Sequence, residues 1–267
     1  MRTIVRFWYL VMTRVCPDLC DWLVRSRFGF MLHRRLWRYS VPKKVRHWGL
    51  TFWLPKNAGA VPTGGRYLED PELNWVLARL KCGDVCVDMG ANVGYWTCLL
   101  AARGMRVHSF EPCAANFRVL RRNVDENGLE RMVTLYNAAC GAVGGTGILH
   151  YAPMASGHTL TDVENGGDET VNIVAVGSVV DQAVFAKVDV EGWEAQALSG
   201  MSDLIEKCSP ALMVELSPKF HNVDETIAAL RGYGYTLYNI THKPQGRVFD
   251  KSQFKADRRI NVWCVKE

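Results

Sequence analysis

The sequence predicts an α/β protein with a mostly parallel sheet that is covered by helices on both faces. From residue 71 onward, short apolar segments that suit buried strands alternate with amphipathic segments that suit helices. A glycine-rich turn at residues 88–94 follows the first of these strands and starts a helix. Such alternation is typical of βαβ units, which bind ligands at the carboxyl ends of their strands. We therefore expect one α/β domain over residues 66–267, preceded by an arm over residues 1–65.

Length and composition are those of a folded protein. The 267 residues are 48% hydrophobic and 22% charged, which excludes disordered, collagen-like and low-complexity classes. The nine cysteines include no CxxC pair, so a zinc ribbon or a redox dithiol is not expected. We expect reduced thiols in a cytoplasmic protein. No segment reaches the roughly 18 apolar residues that a membrane span needs.

The arm is basic and aromatic. Its first 48 residues hold eleven Arg or Lys and four Trp residues, against only Asp18 and Asp21, whereas the net charge of the whole chain is +5. Apolar residues between positions 4 and 23 recur at helical spacing, so we expect one or two amphipathic helices. Either the arm contacts an anionic membrane or acidic glycan, or its apolar face packs on the body. A turn-rich segment at 55–65 separates arm and body.

The elements of the body follow in order. Helices are predicted at 71–80, where Asp70 can cap the first turn, and at 94–103, 114–127, 193–199 and 223–231. Strands are predicted at 85–88, 106–110, 132–138, 186–190, 211–216, 235–240 and 260–266. Residues 141–172 interrupt this alternation. They are rich in glycine and predict an antiparallel insertion or lid that contains His158.

The glycine turn is the first candidate binding site. Its spacing is D-x-G-x-N-x-G, formed by Asp88, Gly90, Asn92 and Gly94. Glycines let the main chain approach a ligand, and the helix that follows offers free N–H groups. The spacing differs from that of dinucleotide sites, and Asp88 would repel a diphosphate. Glu111 ends the next strand, where a carboxylate can accept both hydroxyls of a ribose. A nucleoside-type cofactor without phosphates is implied, although an ordinary turn with Glu111 as a helix cap is the structural alternative.

Four ordered blocks resemble the signature of FkbM-type methyltransferases. They are VDMGANVGY at 87–95, FEP at 110–112, NAA at 137–139 and KVDVEGWE at 187–194. The resemblance covers roughly residues 80–218. It implies a Rossmann-like class I methyltransferase fold, with a seven-stranded sheet whose last strand is antiparallel. It also implies S-adenosylmethionine as the cofactor, and methyl transfer to a hydroxyl oxygen of a sugar or a polyketide.

The resemblance assigns cofactor-binding residues by position. Those that would surround the methionine end are Asp88, Gly90, Asn92 and Gly94. Glu111 would bind the ribose, and Asn137 and Ala138 would lie near the adenine. One departure concerns the Leu-Asp pair that usually precedes the KVDVEGWE strand. Residues 177–181 read GSVVD here, so that carboxylate would be at Asp181.

A second set of charged residues ends the strand at 186–190. Lys187, Asp189 and Glu191 alternate along the chain and so share one face of the sheet. Methyl transfer to an alcohol requires an aligned nucleophile and removal of its proton. Asp189 is the first candidate for the base and Glu191 the second, with Lys187 holding Asp189 ionised or contacting the acceptor oxygen. The structural alternative is an internal salt bridge between Lys187 and Asp189.

Glu194, Glu215 and His158 are candidate acceptor-binding residues. Glu194 would contact the acceptor or cap the helix that it begins. Glu215 would bind hydroxyls or hold a divalent cation with Asp189, but two separated carboxylates are a small ligand set, so no metal is predicted. His158 and His221 could act as bases from loops, and the alternative for both is an ordinary surface histidine.

These residues predict an S-adenosylmethionine-dependent O-methyltransferase that acts on a saccharide or similar polyol. The expected location is the cytoplasm, with the arm as the candidate for peripheral membrane contact. A nucleic-acid methyltransferase is the first alternative, because the arm is basic and aromatic. The rest of the chain is net acidic, which argues against it. The intact glycine turn and acidic residues argue against a non-catalytic, membrane-associated cofactor-binding protein.

Overall fold

The computed structural model describes residues 44–54, 71–150, 159–160, 168–218, 223–241, 247–254 and 259–267. The strands in these residues are β1 (Lys44–His47), β2 (Leu50–Trp53), β3 (Val85–Met89), β4 (Arg106–Phe110), β5 (Val133–Tyr136), β6 (Ala139–Cys140), β7 (Gly145–His150), β8 (Asp168–Val174), β9 (Phe185–Val188), β10 (Ala211–Leu216), β11 (Thr236–Asn239), β12 (Arg247–Val248) and β13 (Ile260–Val265). The α-helices are α1 (Pro71–Leu77), α2 (Tyr95–Ala102), α3 (Ala114–Glu126), α4 (Glu194–Ser199), α5 (Ser202–Cys208) and α6 (Val223–Gly232).

The central sheet has the strand order β12-β11-β13-β10-β9-β3-β4-β5. Strands β5, β4, β3, β9 and β10 pair in parallel, and β13 lies antiparallel between β10 and β11. This arrangement confirms the predicted seven-stranded Rossmann-like sheet with an antiparallel last strand, which the two-residue β12 extends at one edge. The chain order reverses between β3 and β9, and ligands of open parallel sheets bind at such a reversal.

Helices cover both faces of the sheet, as predicted. On one face, α1, α2 and α3 contribute Leu73, Leu100 and Leu120 to a cluster that includes Phe185 of β9. On the other face, α4, α5 and α6 pack against residues such as Val188. Successive residues along β9 therefore enter opposite clusters, which explains why the strands are nearly continuous apolar runs.

Some element boundaries differ from the prediction. Helix α1 ends at Leu77 and β5 at Tyr136, earlier than the sequence pattern indicates. Helix α5 is absent from the prediction. Between α4 and α5, a Cβ on Gly200 would lie 1.9 Å from the backbone oxygen of Gly141. This close approach requires a glycine where α4 ends, and the chain then starts a separate helix.

Strands β1 and β2 form an antiparallel hairpin on α3, beyond the residues 4–23 whose spacing predicts helix in the arm. Asn123 of α3 and Asn127, directly after α3, accept hydrogen bonds from the backbone N–H groups of Trp53 and Thr51, at 2.6 and 2.8 Å. Their amide groups donate back to the backbone oxygens of the same two residues. The sequence did not predict this hairpin, in which two asparagines pair with the edge of β2 as a strand would; the helices expected in the arm stay a prediction. Residues 1–43 lie outside the described part of the chain.

Strands β6, β7 and β8 form a second, three-stranded sheet. β7 and β8 are antiparallel, as predicted for the insertion, and β6 adds in parallel to β8. His158 and His221 lie outside the described residues, so their placement stays a prediction. The cysteines within the described ranges are free thiols. In those same ranges, none of the helices has the length and apolar character needed to cross a membrane.

Candidate active site

The glycine turn after β3 contacts the end of β9 directly. Gly90 has a φ of +78°, and a Cβ at this position would lie 1.8 Å from the backbone oxygen of Asp189. Gly90 is therefore required for the contact between two chain segments, and not only to leave room for a ligand. Gly94, at φ +85°, would place a Cβ 2.4 Å from Cδ1 of Leu120 on α3, a side-chain atom that can shift more readily than a backbone oxygen. Asn92 is also left-handed, at φ +53°.

Glu111 joins the end of β4 to this turn. Its Oε2 accepts the backbone N–H of Asn92 at 2.8 Å, and its Oε1 accepts the backbone N–H of Cys113 at 3.0 Å. Burial raises the pKa of Glu111 to about 7, although these N–H donors act in the opposite direction. Oε1 also accepts Asn116 Nδ2 at 3.5 Å, whereas Oε2 has one donor and can still receive a hydroxyl proton from a ligand.

Asn137 lies beside Glu111 and is bonded to its main chain. The Nδ2 group of Asn137 donates to the backbone oxygens of Glu111 and Pro112, both at 2.9 Å. Ala138 is buried next to it. These contacts fix the loop after β4 against the loop after β5. Asn137 and Ala138, which are predicted to lie near the adenine, are thus at the same sheet edge as Glu111, which is predicted to bind the ribose.

Asp88 is placed differently from its neighbours in the turn. Its carboxylate is 0% exposed and accepts a hydrogen bond from Thr97 Oγ1 at 2.6 Å. Lys187 Nζ lies 4.0 Å from its Oδ1. Burial raises the pKa of Asp88, against the effects of Lys187 and Thr97. The side chain of Asp88 therefore points into the interior, so any direct role in binding the methionine end would require its backbone.

Lys187 forms the salt bridge that the sequence left open as an alternative. Its Nζ donates to Asp189 Oδ2 at 2.9 Å. Burial by itself would lower the pKa of Lys187, but Asp189 and Asp88 outweigh it, and the pKa is raised. Lys187 is accordingly a buried ammonium group between two carboxylates.

Glu191, Glu215 and Arg259 complete the cluster of charges. Arg259 Nη1 donates to both carboxylate oxygens of Glu215, at 2.9 and 3.0 Å, and lies 3.9 Å from Glu191 Oε1. Burial and the nearby Asp189 raise the pKa of Glu191 to about 8, while Arg259 opposes this shift. Burial also raises the pKa of Glu215. Glu191 has a φ of +52°, an uncommon conformation for a residue with a side chain.

The sequence prediction missed Arg259. It stands 44 residues from Glu215 in the chain and directly before β13. The signal that could have found it is the pairing of β13 with β10, which places Asn261 opposite Glu215. An arginine just outside the start of β13 therefore falls at the edge where β10 ends.

One oxygen from each of Asp189, Glu191 and Glu215 lies within 4.8 Å of the other two. A divalent cation can bridge carboxylates at such spacing. Lys187 and Arg259 already contact these groups, so two positive side chains of the protein balance most of the negative charge. We therefore treat the three carboxylates as candidates for binding and proton transfer.

Glu194 supports the turn that holds Glu191. Its Oε1 accepts the backbone N–H of Gly192 at 3.0 Å, and burial raises its pKa to about 7. This geometry matches the structural alternative for Glu194 more closely than direct contact with an acceptor.

Comparisons with known proteins address the family of this chain. The family model of the methyltransferase FkbM domain matches residues 88–237. The 31-O-demethyl-FK506 methyltransferase FkbM of Streptomyces tacrolimicus is 28% identical over 199 residues, covering 60% of this chain and 75% of that protein. The solved structure of methyltransferase FkbM from Methylobacillus flagellatus KT has 20% identity and a TM-score of 0.48, covering 70% of this chain. This chain spans only 44% of that protein. The M. jannaschii tRNA m1G37 methyltransferase has 13% identity and a TM-score of 0.49, covering 84% of this chain and 54% of that one.

The family match extends over more than half of the chain and includes the glycine turn, Glu111 and the charged residues after β9. The protein therefore belongs to the FkbM methyltransferase family and is an S-adenosylmethionine-dependent methyltransferase.

Proposed function

We propose that this methyltransferase modifies a hydroxyl oxygen of a saccharide or of a similar polyol or polyketide. The observation that carries the proposal is the group of three carboxylates, Asp189, Glu191 and Glu215, within 4.8 Å of one another beside the glycine turn. A hydroxyl nucleophile needs a base for its proton, and several hydroxyls on one acceptor suit several carboxylates. The Streptomyces relative, which is named for a 31-O-demethyl acceptor, supports oxygen as the methylated atom.

The residues around the turn fit the methyl donor. Its left-handed residues turn the main chain sharply at the reversal of the sheet, and Glu111 presents a carboxylate suited to ribose hydroxyls. In the proposal, Gly90, Asn92 and Gly94 line the methionine end through their backbone, Glu111 binds the ribose, and Asn137 with Ala138 borders the adenine. When bound, S-adenosylmethionine supplies an electrophilic methyl group.

We assign the proton-accepting role to Glu191. Asp189 ranks first from sequence, but its Oδ2 already receives the Lys187 ammonium group. Glu191 combines a pKa of about 8 with a partly exposed carboxylate, properties of a base that works near neutral pH. Asp189 then orients the acceptor hydroxyl, and the Oε atoms of Glu191 receive its proton.

Glu215 and Arg259 provide the remaining polar wall for the acceptor. Arg259 is partly exposed, so it can hold Glu215 and still offer N–H groups to an acceptor oxygen. Glu194 contributes through the turn at Gly192 and not by touching the acceptor. His158 remains a proposed acceptor contact from the insertion.

We also propose that residues 1–48 bring the enzyme to an anionic membrane. The composition of the arm supports this, since each basic residue near such a surface contributes about 1 kcal/mol. On the described part, Lys44 and Arg46 of β1 and the arginines at 118, 121 and 122 of α3 are exposed, and Lys44 is paired with Glu126.

The test is to incubate the protein with S-adenosylmethionine labelled in its methyl group and with separated glycan, lipid and RNA fractions. We expect label in glycan or glycolipid, in a form that resists mild alkali as a methyl ether does and a methyl ester does not. The Glu191→Gln variant serves as the matched control for chemistry. Label in RNA alone, or on nitrogen, would contradict the proposal.

A further inference from the structure

A row of buried polar side chains crosses the centre of the sheet, which is otherwise apolar. Asp88 of β3 is the register partner of Ser109 on β4 and of Lys187 on β9. Thr97 of α2 lies over this row. Asp88, Ser109 and Thr97 are 0% exposed, and Lys187 is 5% exposed. We call these four residues the polar row.

The direction of the hydrogen bonds in the polar row follows from the protons available. Thr97 Oγ1 donates its single proton to Asp88 Oδ2 at 2.6 Å. The Ser109 Oγ, 2.8 Å from Thr97 Oγ1, must then be the donor to Thr97. Ser109 and Thr97 therefore satisfy one oxygen of Asp88 only.

The second oxygen of Asp88 faces Lys187. Among the described residues, Asp88 Oδ1 has no hydrogen-bond partner, and Lys187 Nζ lies 4.0 Å away. Lys187 donates instead to Asp189 Oδ2 at 2.9 Å. A shift of about 1 Å would bring Nζ within hydrogen-bonding distance of Asp88 Oδ1. The ammonium group of Lys187 can thus pair with either of two carboxylates, Asp88 in the interior or Asp189 at the candidate active site.

We propose that Thr97 and Asp88 are positioning residues for Lys187, which moves from Asp189 to Asp88 when the acceptor binds. The move frees Asp189 Oδ2 to accept the hydrogen bond of the acceptor hydroxyl, so the inference rests on the proposed function. Because Thr97 occupies Oδ2 of Asp88, the oxygen that faces Lys187 stays available to it. No covalent bond changes, and Lys187 keeps its proton throughout.

The charges around Lys187 determine which positions its ammonium group can take. Asp88 on β3, Asp189 after β9 and Glu215 on β10 all attract the ammonium group. Glu191 is close to Asp189, and Arg259 offsets Glu215. Removal of the Thr97 hydroxyl takes away the side-chain hydrogen bond to Asp88 Oδ2, so we expect Lys187 to move toward Asp88 even in the free enzyme.

The test follows the side-chain resonances of Lys187 by NMR in protein labelled at the lysine Nζ and Cε atoms, assigned by their loss in Lys187→Arg. In the Thr97→Val variant, we expect these resonances to shift by more than a linewidth. Thr97→Ser, which keeps the hydroxyl, should restore the original position. Thr226→Val removes a hydroxyl from another buried helical threonine and should leave the resonances where they are.

A second experiment measures kinetics on the glycan, lipid or RNA fraction that the wild-type protein labels. In Thr97→Val the move has taken place before the acceptor binds, so the KM for the acceptor should fall by up to about tenfold, with unchanged affinity for S-adenosylhomocysteine, and Thr97→Ser should restore KM. Unchanged Lys187 resonances in Thr97→Val would overturn the inference, and so would a failure of Thr97→Ser to restore them. If Thr97→Val does not fold, Ser109→Ala applies the same criteria with a smaller expected shift. If no fraction is labelled, the proposed function fails, while the NMR arm still decides whether the polar row positions Lys187.

Discussion

Replacing Gly90 with alanine tests the contact between the glycine turn and the end of β9. The new Cβ would lie 1.8 Å from the backbone oxygen of Asp189 and 2.9 Å from its carbonyl carbon. The two segments must then separate by more than about 1 Å to reach a normal contact distance. The positive φ of +78° adds a cost of its own for any residue with a Cβ.

The expected loss of stability combines these two effects. A left-handed conformation costs a non-glycine residue about 1 to 2 kcal/mol, and overpacking costs about 1 to 3 kcal/mol. Gly90→Ala should therefore destabilise folding by about 2 to 5 kcal/mol, which leaves a domain of ordinary stability mostly folded. Gly234 is a matched control, because it has a φ of +83° and nothing within 4 Å of its added Cβ. Gly234→Ala should cost only the conformational part.

Function separates the two variants further. A displacement of about 1 Å at catalytic groups can lower turnover about 10²-fold, and Gly90→Ala should also weaken binding of S-adenosylhomocysteine at least about tenfold. Gly234→Ala should leave both unchanged. The measurements are urea unfolding, isothermal titration calorimetry and turnover on the labelled fraction. If Gly90→Ala binds and turns over like the wild type, and is no less stable than Gly234→Ala, then the Gly90–Asp189 contact does not shape the site.

Three further predictions address the carboxylates and the arm. Affinity for S-adenosylmethionine should rise with pH through about 7, because Glu111 must ionise to accept ribose hydroxyls. Glu111→Gln should weaken binding by about 1 to 3 kcal/mol and remove this pH dependence. Calorimetry at pH 6 and pH 8 measures both effects, and equal pH dependence in the two proteins would place the ribose elsewhere. The rate of methyl transfer should rise as pH increases through about 8, since Glu191 must lose its proton to act as the base. Glu191→Gln should lower kcat about 10² to 10⁴-fold. A near-normal kcat in this variant would show that Glu191 is not the base. Deletion of residues 1–43, which keeps β1, should abolish sedimentation with anionic vesicles without changing turnover; if the full-length protein does not sediment with them either, the membrane proposal fails.

Much of the central sheet was predictable, because its strands are apolar runs separated by amphipathic helices. Gly90, Glu111 and Lys187 also follow from local sequence, since each stands at or near the end of a predicted strand. The reason why position 90 requires glycine could not be predicted from sequence. The atom that an added Cβ would contact belongs to Asp189, about 100 residues further along the chain. Sequence pattern identifies the turn, and only the register of β3 with β9 identifies its neighbour.

The features that sequence missed depend on contacts between distant residues. The β1–β2 hairpin is held by Asn123 and Asn127, which are 70 and 76 residues away from their backbone partners. Its strands are four residues each, too short for a clear alternation of apolar and polar positions. Thr97 looks like an ordinary helical residue until α2 is packed on the sheet and its hydroxyl meets Asp88.

The two sequence blocks that identify the family act as one physical unit. Asp88 pairs in register with Lys187, and Met89 with Val188, so the start of the glycine turn and the start of the acidic block are neighbours across two parallel strands. The backbone of Gly90 touches that of Asp189, which joins the region proposed to bind the methyl donor to the region proposed to bind the acceptor. A substitution in either block must therefore be tested for both binding events. Loss of donor affinity in an Asp189 variant would follow from this contact, even if Asp189 never touches the donor.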